Sequence, residues 1–120
     1  MSHIVEIKTQ VKDVAAVLAA CRRLKLPTPQ QRTVTLFASE VSGLAVELPD
    51  WQYPLVCDTT TGEVKYDNYG GRWGQQSHLD QFLQTYTVEK AKLEARRLGH
   101  SVSEQLLTDG SIRVQIAIAG

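Results

Sequence analysis

The sequence predicts an α+β domain: a mainly antiparallel sheet with two helices on one face, arranged as a ferredoxin-like plait with an added C-terminal hairpin. Several stretches alternate apolar and polar residues with the period of two of half-buried strands. Two others, after Asp13 and after Ser77, repeat apolar residues every three or four positions, as one face of a helix does. The order strand, helix, several strands, helix, hairpin runs without repeat, low-complexity tract or linker. The chain of 120 residues fits a single domain spanning 1–120. At that size a fold buries roughly 65% of its unfolded surface, enough for a core without metal or disulfide.

Val5, Ile7 and Thr9 alternate with Glu6, Lys8 and Gln10 and open the domain with a strand. Asp13 then caps a helix whose apolar stripe is Val14, Val17, Leu18, Cys21 and Leu24. Arg22, Arg23 and Lys25 gather at its negative end, and Pro27 and Pro29 are expected to stop it. Val34, Leu36 and Ala38, then Leu44, Val46 and Leu48, read as two strands turning at Ser42-Gly43 and closed by Pro49-Asp50. LVCDTTTGEVKY reads as a second hairpin in which Gly62 supplies a positive φ. Ser77 and Asp80 approximate a capping box for a second helix, with Leu79, Phe82, Leu83, Tyr86 and Leu93 on one stripe and Gly99 at its end. Asp109-Gly110 joins two last strands, with Ile112, Val114, Ile116 and Ile118 on one face.

Composition excludes several function classes. Thirteen basic residues balance 13 acidic ones, whereas a general nucleic-acid binder needs a basic excess to displace counterions from phosphates. No apolar run approaches the roughly 20 residues of a membrane helix, and MSHIVEIK has no signal-peptide core, so a soluble, cytoplasmic protein is expected. Zero net charge gives little colloidal repulsion and favours self-association or a permanent partner. Cys21 and Cys57 have neither disulfide-framework nor zinc-site spacing, and His3, His78 and His100 form no i, i+4 pair, so no metal and no cofactor is expected.

The stretch YDNYGGRWGQQSHLDQFLQTY carries the richest side-chain chemistry. Gly70-Gly71 lets a ligand approach the backbone, and the helix start beyond attracts anions, but GGRWG lacks the lysine and Ser/Thr of a phosphate-binding P-loop. Tyr69, Arg72 and Trp73 are residue types that dominate protein interfaces; their alternative is to fold over the helix end as core. With Ile116 and Ile118 on the apolar last strand, they are the expected partner-binding residues, and no catalytic residue is expected. A rival reading is a small enzyme or ligand-binding domain with Cys57, Arg72 and His78 around a cleft. A third is an RNA-binding module using sheet aromatics. Asp58, Glu63 and Asp67, and the charged run EKAKLEARR, read as solvated faces.

The start MSHIVEIKTQVKD, and FLQTYTVEKAKLEARRLGHSV running into TDGSIRVQI, resemble the hypothetical chloroplast reading frame thirty-five family of cyanobacteria, plastids and other bacteria. The likeness covers about half of the chain and rests on Met1-Ser2-His3, Tyr86, Gly99 and Asp109-Gly110-Ser111-Ile112. It implies a soluble, non-catalytic accessory protein and carries no active site to transfer. Relatives are often encoded near an AAA-type ATPase and a second small protein, which implies an adaptor or assembly subunit.

Overall fold

The computed structural model describes residues 5–8, 10–36 and 39–117. Strand β1 (Val5–Lys8) and helix α1 (Val14–Arg23) are followed by β2 (Gln30–Leu36), β3 (Ser39–Val46), β4 (Leu55–Asp58) and β5 (Glu63–Tyr66). A short 3-10 turn (Tyr69–Gly71) leads to the long helix α2 (Gln76–Arg97) and a hairpin of β6 (Ser101–Leu106) and β7 (Ile112–Ala117). The fold is α+β. The first five strands form one antiparallel sheet in the order β1-β5-β4-β3-β2, and β6 and β7 form a sheet of their own.

That order is a meander with β1 added at its far edge, not the interleaved order of a ferredoxin-like plait. The difference arises after α2. The chain does not return to the sheet but doubles back along α2 itself: Gln84 Nε2 donates to the Gly110 carbonyl at 3.4 Å, and Lys92 reaches Glu104 at 2.9 Å. Helix α2 therefore has two buried sides. Leu79, Phe82 and Tyr86 join Ala16, Val17, Ala20 and Cys21 of α1 above Leu44, Val46, Leu55, Cys57, Val64 and Tyr66 of the sheet. Val88 is buried one turn from both Gln84 and Lys92, on the side turned to the hairpin. A smaller cluster of Val34, Leu36, Ala45 and Val56 covers the sheet's other face.

Helix α1 begins as its sequence requires: the Asp13 carboxylate accepts the Ala16 N–H at 3.2 Å. Its stripe is rotated, however. Val14 is 44% exposed, and Ala16 and Ala20 are buried in its place. The helix also ends before either proline acts. Lys25 takes φ 58°, the Leu26 N–H donates to the Cys21 carbonyl at 2.8 Å, and the Lys25 N–H donates to Arg22. These two bonds close a Schellman turn. Gly99 closes α2 in the same way, with His100 N–H to Ala95 and Gly99 N–H to Arg96.

The start of α2 differs from expectation. Gln75, not Ser77, occupies its N-cap and makes no side-chain cap bond. Ser77 lies within the first turn because the chain just before it is already fixed to Trp51. The reversal between β2 and β3 also lies earlier, since Leu36 pairs with Ser39 and Ser42-Gly43 runs inside β3. Gly43 is needed there for close approach: a β-carbon on it would stand 2.6 Å from the Cys57 carbonyl oxygen. Gly62 (φ 86°) and Gly110 (φ 88°) do close their turns.

The first crossover is held by one phenol. The Tyr86 hydroxyl accepts the N–H groups of Lys12 (3.2 Å) and Asp13 (3.1 Å) and donates to the Gln10 carbonyl at 3.2 Å. Tyr86→Phe leaves the Asp13 N–H without its partner and the Lys12 N–H and Gln10 carbonyl with only each other at 2.9 Å, so a loss of about 1–2 kcal/mol is expected; a urea transition unchanged from wild type would contradict this role. Lys25→Gly removes a side chain from a left-handed residue and should raise stability by about 0.5–1 kcal/mol. The same urea titration checks it, and a lower midpoint would refute the assignment.

Candidate functional site

The loop between β5 and α2 is built from underneath. Trp51 lies edge-on to Tyr66 with ring centres 5.7 Å apart, and its indole N–H donates to the Gln75 carbonyl at 3.1 Å. The Gln52 N–H donates to the Trp73 carbonyl at 2.8 Å, so residues 51–52 clamp residues 73–75. Gly74 is the residue that permits this contact, since a β-carbon there would stand 2.3 Å from the indole ring. Buried Asn68 supplies the rest: its carbonyl accepts the N–H groups of Gly71 and Trp73, and its side-chain amide donates to Gly74.

Held at both ends, the chain takes left-handed conformations in succession at Tyr69 (φ 49°), Gly70 (φ 61°) and Gly71 (φ 99°). Such a conformation costs a residue with a side chain about 1 kcal/mol or more. Tyr69 holds it with its N–H on the Asp67 carboxylate at 3.3 Å. Asp67 is completely buried, which corrects its reading as a solvated charge, and its Oδ2 has no hydrogen-bond partner among the described residues.

This backbone gathers three predicted contact residues. The rings of Tyr69 and Trp73 stack at 4.7 Å with planes 27° apart, Tyr53 meets Trp73 edge-on at 5.7 Å, and the Arg72 guanidinium lies 5.3 Å over Tyr69. Arg72 is exposed and makes no ion pair among the described residues, while Tyr69 and Trp73 are half-buried and outside both core clusters. Beside them an open depression of about 700 Å³ is lined by Tyr66, Asn68, Tyr69, Gly70, Arg72 and Gln76. The sequence reading does not single out Trp51 and Tyr53, for which the aromatic pair in DWQYP is the signal, or Asn68, for which there is none.

The other candidates lie elsewhere. Ile116 is on β7 and 46% exposed, in a different sheet; Ile118 and His3 lie outside the described residues. Cys57 is sealed in the core, where burial pushes its thiol up to about 12. Neither it nor His78, whose Nδ1 is buried without a partner among the described residues, lines the depression that Arg72 borders. Tyr66 is the aromatic residue within the described strands; it is largely buried, with an edge on the open depression. Among the described residues no helix is long and apolar enough to cross a membrane.

The run EKAKLEARR is also more than a solvated face. Arg23 reaches Glu104 at 2.6 Å and Glu89 at 3.3 Å, and Lys92 reaches Glu89 at 3.2 Å and Glu104 at 2.9 Å, a closed ring joining α1, α2 and β6. The hydrogen bonds from Arg23 and Lys92 hold the Glu104 carboxyl below its usual range.

Gly74→Ala forces the indole of Trp51 off the loop, with an expected loss of about 1–3 kcal/mol and a red shift of tryptophan emission as the ring meets water. Unchanged emission with wild-type stability would show that Trp51 does not seat the loop. No family model, curated protein or solved structure matches this chain.

Proposed function

We propose that this chain is a cytoplasmic, non-catalytic accessory or adaptor protein that acts through protein–protein contacts. The observation that carries this reading is the Tyr69–Trp73 stack with the exposed Arg72 guanidinium on its outer side. Aromatic and arginine side chains contribute most to binding when they are already ordered, because little rotamer freedom is then lost on association. The clamp from Trp51 and Asn68 supplies that order in the free protein. The depression beside the stack is wide and open, suited to a protuberance of a folded partner more than to enclosing a small molecule.

The resemblance to the hypothetical chloroplast reading frame thirty-five family supports the same class and suggests the partner, an AAA-type ATPase or the second small protein encoded near it. The rival cleft enzyme has less support: a thiol as deeply buried as Cys57 is a poor nucleophile.

Purification of the tagged chain from its native host should retrieve a stoichiometric second protein. Joint replacement Tyr69→Ala and Arg72→Ala should weaken that capture about 30-fold or more, the size of a central hot spot. Repeated recovery of the chain alone, or capture unaffected by the double variant, would refute the reading.

A further inference from the structure

The geometry points to a second copy of this chain as the occupant of the free edge of β7, forming a continuous four-stranded antiparallel sheet across a two-fold axis. This rests on reading the C-terminal hairpin as a contact surface. The hairpin is a two-stranded sheet by itself, so among the described residues β7 has a backbone partner on one side only. Which groups it leaves unpaired follows from the turn. The Leu107 N–H donates to the Ser111 carbonyl at 2.8 Å, so Ser111 faces β6. Ladder bonds alternate along an antiparallel strand, so Arg113 and Gln115 also turn their peptide groups to β6, while Ile112, Val114 and Ile116 turn theirs outward.

That alternation makes the edge self-complementary. With Val114 on the axis, Val114 meets Val114 of the second copy, Ile112 meets Ile116, and every outward N–H and carbonyl of these residues faces its counterpart. The cross-strand pairs on that face are all apolar, while on the other face Arg113 lies opposite Gln115. No like charges meet, and the chain's zero net charge adds no general repulsion. Moving the axis to Arg113 would set two guanidinium groups opposite each other, which disfavours that register.

The helices fit the same arrangement. Ile112, Val114 and Ile116 share a face with Glu104, which reaches Lys92, so that face is turned to α2. Helix α2 packs on both strands of the hairpin. With strands about 4.8 Å apart, its midline lies about one spacing from the axis. The two α2 helices then run roughly 10 Å apart, a normal helix-packing distance, above Ile116, which is 46% exposed in the single chain.

The test is sedimentation equilibrium of the full chain beside two variants at exposed Gln115. Wild type should weigh as a dimer of 13.3 kDa chains. Gln115→Glu places a carboxylate opposite Arg113 twice across the axis and should tighten the dimer about three- to tenfold; Gln115→Arg opposes like charges twice and should loosen it by a similar factor. A chain that stays monomeric at about 100 μM, well above a micromolar-range dissociation constant, overturns the proposal. So does a dimer on which the two variants act alike or not at all. A monomer that still captures a stoichiometric foreign protein would sink the self-association and leave the adaptor reading standing.

Discussion

The hydroxyl of Tyr86 sits where the incoming chain leaves the sheet and turns into α1, and its three hydrogen bonds fix that corner to the middle of α2. The corner has no regular structure of its own to satisfy its backbone: residues 10–13 lie between β1 and α1. Without the phenol, the Lys12 N–H and the Gln10 carbonyl would keep only their bond to each other at 2.9 Å, and the half-buried Asp13 N–H would need another partner. Asp13, fixed in this way, both caps α1 and receives Arg97 from the far end of α2 at 3.3 Å. One side chain therefore sets the position of each helix relative to the other, and with it the shape of the core they share with the sheet.

The hairpin is attached by different means. Its seat on α2 combines a thin apolar contact around Val88 with the charged ring of Arg23, Glu89, Lys92 and Glu104. Ion pairs that are only half-buried contribute modestly and weaken with salt. Directional rather than strong, they place β6 in register along α2 while leaving Leu106 three-quarters exposed. The main sheet and the hairpin thus differ in kind: one is held by burial, the other is aimed by charge.

Much of this was legible in the residues. Gly62, Gly99 and Gly110 punctuate the chain where expected because a positive φ is a local demand that only a few residue types meet. The stripe Leu79, Phe82 and Tyr86 found the core because it lies on one side of one helix. What escaped was set by tertiary contact. Lys25 ends α1 with the conformation of a glycine, and Gly43 was mistaken for a turn because the strand whose carbonyl crowds it is distant in sequence. The plait was inferred from element order, but order does not say whether a strand after α2 rejoins the sheet or packs on the helix. At the loop, Tyr69, Arg72 and Trp73 were recognisable by type. Trp51 and Asn68, which hold them, were not, since a supporting residue is defined by what it touches.

The two free cysteines have a bearing on how the domain moves. Cys21 and Cys57 face the same core from helix and sheet, both all but closed to solvent, and burial pushes their thiols up to about 11 and about 12. Only a thiolate reacts readily, and only at a surface. Each sulfur is therefore shielded while α1 lies on the sheet and accessible once the two part. Whatever separates that layer, a partner's pull or a thermal fluctuation, opens both sulfurs to a thiol reagent supplied from solution.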